Sequence, residues 1–343
     1  MKKVSIKDIA EHLKISVPTV SLVLNGRGDE KRISKETQQR IIKYAKEIQY
    51  RPNAFAKGLK KGRSEMIGLI IPDISDAFYA RIARRIEKEA AKHHYTVIYS
   101  SSEESQEREE ELIRSMLDRQ VDGLIIASTQ KNRKQIESLK KMNFPFVLID
   151  RHYPEVETDY VIVDNKEGIA KAVRHMSNSG ASNIGFVSIT PELEAIKERL
   201  AGYKETIKEV GLPLSSSNIK ELNRQTYEAQ MSSVFDDFST LSNPLDGIIF
   251  ATHYLATAGL REMKKRGVML PQEIKMISYD QFSAFDLLEP SITVVTQPIE
   301  EIGDSAVHIL LNKLKSRDTE IIQKVLQTGF IPRESCGESI RNS

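Results

Sequence analysis

Two hydrophobic rhythms divide the chain. Up to about residue 50, apolar residues recur at helical spacing. Beyond residue 64, short apolar runs alternate with longer amphipathic stretches. In the first region Ile6, Ile9, Ala10 and Leu13 form one stripe after Ser5, a good N-cap residue with Asp8 three positions on. Lys14-Ile15 leaves room only for a tight turn. Ser16 then caps a second helix that tolerates Pro18 in its first turn, buries Val20, Val23 and Leu24, and ends at Asn25-Gly26. Ser34-Lys35-Glu36-Thr37 opens a third helix through Tyr44 and Ile48. Two short helices joined so tightly, with a third behind them, predict a helix-turn-helix unit of DNA-binding size, with a generic three-helix bundle as the alternative.

In the second region the apolar runs predict strands at 66–71, 96–100, 123–127, 146–149, 184–189, 247–251, 274–278 and 292–296. Amphipathic segments predict helices at 76–93, 105–119, 134–142, 166–179, 195–210, 226–238, 254–266 and 298–314. Nearly continuous apolar strands alternating with helices imply parallel, doubly wound sheets covered on both faces. An internal echo splits them into two lobes. Asp122-Gly123-Leu124-Ile125-Ile126-Ala127 recurs as Asp246-Gly247-Ile248-Ile249-Phe250-Ala251, and Met66-Ile67-Gly68-Leu69-Ile70 recurs as Asn183-Ile184-Gly185-Phe186-Val187.

Ligands of such sheets sit beyond the carboxyl ends of the strands. The residues there are Asp73, Phe78 and Tyr79, then Asp150 and Arg151, then Thr252-His253-Tyr254, and finally Asp280. Carboxylates and arginines that bond neighbouring hydroxyls, with aromatic faces beside them, suit a polyol or sugar. The plainer reading of each aspartate is a cap on the following helix.

Charge sharpens the picture of the first region. Residues 1–62 hold 15 Lys+Arg against 6 Asp+Glu, a net of +9, so the rest carries −7 within a total of +2. A basic head on an acidic body points to a polyanion as the head's partner. With Cys336 the only cysteine there is no internal disulfide and no Cys-rich metal cage. The start of the chain shows no apolar leader, and no run of eighteen apolar residues occurs, which predicts a cytoplasmic protein that does not enter membranes.

The stretches IKDIAEHLKISVPTVSLVLN and Tyr50-Arg51-Pro52-Asn53-Ala54 resemble the lac repressor/galactose repressor (LacI/GalR) family of bacterial transcriptional regulators, and the similarity continues through the body. The resemblance implies that the helix capped by Ser16 lies in the major groove, with Val17, Pro18 and Leu22 facing bases. Thr19, Ser21 and Asn25 would touch the phosphate backbone or steady the helix. It further implies that the segment after Pro52, with Asn53 among its DNA-binding residues, forms a hinge helix on DNA that wedges Leu59 into the minor groove, while Lys57, Lys60 and Lys61 suit phosphates on either side. Two departures stand out in the head. Leu22 replaces the family's usual Arg, which leaves only apolar contact such as a thymine methyl. The 26–32 loop is longer than the lac repressor's connection, either adding backbone contacts or extending the surface.

For the body, Glu198-Arg199-Leu200-Ala201-Gly202-Tyr203 and Ser278-Tyr279-Asp280 resemble the family's effector-binding stretches, which implies that Arg199 and Asp280 bind the effector, with Phe78 and Tyr79 as the aromatic pair of the first loop. Thr252-His253 replaces a common Asn-Asp. The resemblance also implies a periplasmic-binding-protein-like body whose chain crosses between lobes near residues 162, 290 and 323.

The expected organisation is a helix-turn-helix domain at 1–51, a hinge at 52–63, an effector-binding and dimerisation domain at 64–335 and a tail at 336–343. Within the body, one lobe takes 64–162 and 291–322, the other 163–290 and 323–335. No phosphate-cradling loop, zinc-protease or nucleophile-elbow motif occurs, so no catalytic residue, metal site or cofactor is expected. The function expected is a homodimeric, sequence-specific DNA-binding regulator, a repressor, whose operator affinity responds to a small carbohydrate-like ligand. A carbohydrate-binding protein or sugar-processing enzyme with an appended head is the alternative.

Overall fold

The computed structural model describes residues 5–50, 63–315 and 320–337. The chain divides into two compact units at residue 64. The hinge residues Asn53, Lys57 and Leu59 lie outside the described residues.

The first unit contains α1 (Ile6–Leu13), α2 (Val17–Leu24) and α3 (Lys35–Glu47). Ser5 and Asp8 form a reciprocal capping box at the start of α1. Lys14 adopts the left-handed conformation (φ 54°) that stops α1 and makes the turn to α2 tight. Ile9, Val20 and Ile41, one from each helix, are fully buried together with Ala10, Val23 and Ala45. His12 stacks on Tyr44 at 4.0 Å, fastening α1 to α3. The long loop after α2 is pinned rather than loose. Asp29 accepts from Gln38 Nε2 and Lys35 Nζ, both at 2.8 Å, and Gly28 packs so closely on Gln38 that a Cβ there would lie 2.5 Å from its side chain.

The second unit holds two six-stranded sheets. The first is built from β1 (Met66–Ile71), β2 (Thr96–Ser101), β3 (Gly123–Ile126), β4 (Phe146–Ile149), β5 (Tyr160–Val163) and β11 (Gln323–Leu326), in the order β11-β5-β4-β3-β1-β2. The second comprises β6 (Ile184–Ile189), β7 (Ile219–Leu222), β8 (Gly247–Phe250), β9 (Lys275–Tyr279), β10 (Thr293–Thr296) and β12 (Gly329–Ile331), in the order β12-β10-β9-β8-β6-β7. The orders correspond strand for strand, so the sequence echo is a repeated sheet. The repeated aspartates do the same job twice: Asp122 accepts the Glu65 N–H at 3.0 Å and Asp246 the Asn183 N–H at 2.9 Å, each fixing the start of its lobe's first strand.

Helices cover both faces. In the first lobe α4 (Ala77–Lys92) and α11 (Ile299–Lys315) bury Ile82, Ile86 and Leu310 against Leu69, Ile125 and Val147. On the other face α5 (Gln106–Asp118) and α6 (Arg133–Lys141) bury Ile113 and Ile136 against Ile70, Leu124 and Ile126. Each fully buried aliphatic side chain is worth about 1.5–3 kcal/mol. The second lobe repeats this with α7 (Asn165–Asn178) and α8 (Glu194–Glu209) on one face, α9 (Tyr227–Ser239) and α10 (His253–Arg266) on the other.

The expected lobe boundaries need correction. β10 belongs to the second sheet, not the first, and β11 to the first, not the second. The chain crosses after β5, as expected near 162, but its second and third crossings come after β10 and after β11 rather than near 290 and 323. The reason is directional: the lobes face each other across the carboxyl ends of their parallel strands, so a crossing has to follow a completed strand. Four strands, β5, β7, β11 and β12, were not anticipated at all. Three of these, β7, β11 and β12, are edge strands, where alternation is weak and the apolar run too short to register.

Candidate functional site

Each lobe has the strand order 2-1-3-4-5, whose switch point lies between its first and third strands. Loops from both lobes meet over those points and enclose a cavity of about 50 Å³. From the first lobe come Asp76, Phe78 and Tyr79 after β1, and Asp150 and Arg151 after β4. The second contributes Arg199 on α8, Arg224 after β7, Thr252, His253 and Tyr254 after β8, Asp280 after β9 and Gln297 after β10.

Arg199 is held from three sides. Its Nε donates to Asn165 Oδ1 at 2.9 Å and its Nη1 to the Ala251 carbonyl at 2.8 Å, while the guanidinium carbon stacks 3.6 Å above the Tyr279 ring. Tyr279 in turn donates to the same Asn165 oxygen at 3.1 Å. The guanidinium reaches Asp280 at 4.0 Å. Burial alone would favour loss of the Arg199 proton, but Tyr279 and the Asp280 carboxylate outweigh it and raise its pKa. For Asp280 burial dominates and raises the carboxyl above its ordinary range, with Arg199, His253 and the Gln297 hydrogen bond pulling the other way.

Gln297 Nε2 donates to Asp280 at 2.7 Å, which turns the amide oxygen the opposite way. That oxygen is buried and has no hydrogen-bond partner among the described residues. A buried acceptor left unmatched costs about 1–3 kcal/mol, so it wants a donor such as a ligand hydroxyl.

Across the cleft, Tyr79 donates its hydroxyl to Asp150 at 2.7 Å. Arg151 makes a bidentate pair with Glu104 at 2.7 and 2.8 Å, and Arg224 from the opposite lobe reaches the same carboxylate at 2.9 Å. Further links between lobes are Lys131 to Glu192 at 3.1 Å, the Glu194 N–H to Gln130 at 2.8 Å and His253 to Asp76 at 3.8 Å. The lobes are closed on each other. The cavity of about 50 Å³ is smaller than the ~300 Å³ of ordinary small-molecule pockets.

The close approach of α7 and α8 sets the position of Arg199. A Cβ on Gly202, one helical turn after Arg199, would lie 2.4 Å from the Lys166 carbonyl oxygen. Only glycine lets the two helices meet at this distance.

Of the residues expected from sequence, Phe78, Tyr79, Asp150, Arg199, Thr252, His253, Tyr254 and Asp280 line the cavity, and Asp73 does not. Asp73 instead folds onto its own turn, accepting from the Ser75 N–H and hydroxyl at 2.7 Å each. Short aspartate side chains at turns favour this local bond over a distant one. Asp76 takes its place, capping α4 through the Phe78 N–H at 2.9 Å while facing His253. Thr252 likewise caps α10. Gln297 was missed although it directly follows an anticipated strand. Arg224 was invisible because β7 before it was not recognised.

In the head, α2 buries Val20 and Val23 and turns Val17, Pro18 and Asn25 to solvent, with Thr19, Ser21 and Leu22 half-buried at its margin. Ser16 accepts from the Thr19 N–H at 3.3 Å and pairs with its hydroxyl at 2.8 Å, while Asn25 donates to the Ser21 carbonyl at 2.7 Å. Polar residues thus fix both ends of α2, whose exposed first turn presents the apolar Val17 and Pro18.

Comparison with known proteins agrees with both units. Residues 5–53 match the family described as "Bacterial regulatory proteins, lacI family", and residues 64–334 match "Periplasmic binding proteins and sugar binding domain of LacI family". Catabolite control protein A of Priestia megaterium is 33% identical over 324 residues, covering 93% of this chain and 96% of that protein. The ribose operon repressor of Halalkalibacterium halodurans is 28% identical, covering 99% of both. Among solved structures, a LacI family transcriptional regulator from Enterococcus faecium with bound ribose superposes with a TM-score of 0.68 at 25% identity, covering 79% of this chain and 98% of that one.

Proposed function

Because the chain belongs to the LacI family of bacterial regulatory proteins and is a DNA-binding transcriptional regulator, we propose that it represses from an operator that its cleft releases or retains according to a bound carbohydrate. The observation that carries this reading is the cleft itself: Asp150 from one lobe and Asp280 with Arg199 from the other converge on one cavity beside the unmatched oxygen of Gln297. Two carboxylates and a guanidinium offer paired acceptors and donors to vicinal hydroxyls, and Phe78 and Tyr254 offer apolar faces to a ring.

The cleft binds rather than catalyses in this reading, and the protein works without cofactor as a cytoplasmic homodimer. Two heads engage the half-sites of a roughly palindromic operator, with Val17, Pro18 and Leu22 toward bases and Ser16, Thr19, Ser21 and Asn25 toward the backbone. Leu59 completes the DNA contacts as a minor-groove wedge, with Lys57 at flanking phosphates and Asn53 beside them on the DNA. Ligand binding changes the angle between lobes and, through it, the spacing of the paired heads. Coupling of this kind is typically ~1–3 kcal/mol. The ligand's class follows from the cleft chemistry and accords with the ribose bound by the Enterococcus faecium regulator.

The test is selection of bound sequences from random DNA with and without a panel of pentoses, hexoses and disaccharides. An enriched palindrome whose recovery changes with one sugar supports the reading. Recovery of no sequence, or of one indifferent to every sugar, contradicts it.

A further inference from the structure

We propose that Glu89, His93 and His308 form a binding site for one divalent transition-metal ion of the zinc class, clamping α4 to α11 on the first lobe. Two distant parts of the chain supply them: Glu89 in the last turn of α4 with His93, that helix's C-cap four residues on, and His308 on α11. Glu89 Oε1 is 3.2 Å from His308 Nε2 and 3.7 Å from His93 Nε2, and all three ligand atoms lie within 4.8 Å of one another. Bonds of about 2.0–2.2 Å from zinc to nitrogen and oxygen put ligand atoms of one coordination sphere roughly 3–4 Å apart, so small rotations of the two imidazoles suffice.

The neighbourhood is prepared for a cation. Glu89 is only 4% exposed, a rare burial for a glutamate on a helix face. Lys92 engages its other oxygen, Oε2, which fixes the carboxylate and leaves Oε1 pointing at both histidines. The strongest nearby guanidinium, Arg85, is already committed to Asp304 in a bidentate pair, so its charge is balanced. Behind His93 the C-terminal carbonyls of α4 add the negative end of the helix dipole. His93 and His308 meet edge to face with ring centroids 6.1 Å apart, and both retain access to solvent, which leaves an entry path and room for water as the remaining ligands. Two imidazoles and one carboxylate with open positions suit zinc, nickel or cobalt rather than magnesium or calcium, which demand more oxygen.

The experiment titrates the chelator-stripped full chain with zinc chloride by calorimetry and with cobalt chloride by visible absorption, alongside His308→Ala and His93→Gln. His308 is exposed, so its removal leaves the fold intact, and a thermal melt without metal checks that. The expected result is about one zinc per chain and at least tenfold weaker binding in each variant. Cobalt should show the matching absorption in the parent and not in the variants. Absence of binding, or the same affinity in parent and both variants, overturns the proposal.

Discussion

Asp150 and Asp280 occupy the same place in the two lobes. Each ends the fourth strand of its sheet in a left-handed conformation, φ 63° and 72°, and each carries its carboxylate into the shared cavity. Each donates its amide to the neighbouring strand, Asp150 to Val161 at 3.0 Å and Asp280 to Val295 at 2.9 Å. Aspartate and asparagine tolerate this backbone better than other branched residues. Asparagine at either position therefore removes the charge without disturbing the turn. Asp150→Asn and Asp280→Asn should each weaken ligand binding by about tenfold or more, the loss of a charge-assisted hydrogen bond of about 1.5–3 kcal/mol, while operator affinity without ligand stays within twofold. Calorimetry with the selected sugar checks the first, and anisotropy of labelled DNA the second. An unchanged response to ligand clears these residues of the role.

Gly202→Ala should destabilise the body even though alanine gains up to ~1 kcal/mol in helix propensity. Its methyl group would press on the Lys166 carbonyl oxygen at 2.4 Å and force α8 away from α7, an overpacking cost of about 1–3 kcal/mol. A lowered denaturant midpoint at unchanged slope is the expected result. Arg199 rides on α8, so ligand affinity should fall with it.

Glu104, held by Arg151 of its own lobe, latches the lobes through Arg224. Burial pushes its carboxyl up, but those two guanidinium groups outweigh burial and hold it below the ordinary glutamate range. A depressed carboxyl stabilises the closed protein above its unfolded pKa, about 4.3, and that contribution is lost as pH falls through the lower folded value. Scattering should show the body expanding in this acidic window. Glu104→Gln should be expanded already at neutral pH and lose the dependence; identical curves for both proteins would refute the latch.

Leu22→Arg should move operator preference toward guanine at one position per half-site, because an arginine fork reads the O6 and N7 of guanine where leucine offers only methyl groups. Sequencing of selected DNA from both proteins gives the answer. Matching profiles would mean that this position does not face bases.

Cys336 is buried against Met276, and burial pushes its thiol up to about 11. At pH 8 the native protein should react with a thiol reagent only at its rate of opening, whereas denaturant should expose one thiol per chain at once. Fast labelling of the native chain would contradict the packing of the C-terminal segment onto β9.

What the chain discloses in advance depends on length and repetition. Helices such as Ala77–Lys92 and Ile299–Lys315 repeat their apolar stripe over four turns and fall within a residue of expectation. The echo between Asp122-Gly123 and Asp246-Gly247 revealed the two lobes because the same hydrogen bond is needed at the same place. Strands of three or four residues at sheet edges, such as Gly329–Ile331 and Ile219–Leu222, carry too few positions to show a period. Hence Arg224 went unseen, whereas β10 and β11 fell on the wrong side of crossings that only the resemblance placed. Asp73 illustrates a different limit: sequence marks the end of a strand, but whether the side chain turns toward its own loop or the opposite lobe is decided by partners far along the chain.

Linkage provides the most direct test. The affinity of the selected sugar should be measured for the free protein and for the protein saturated with its operator, and the operator's affinity with and without saturating sugar. The account predicts one common ratio, about 5- to 150-fold for a coupling of ~1–3 kcal/mol, abolished in Asp280→Asn. A sugar that binds the cleft with the same affinity whether or not DNA is present would contradict it.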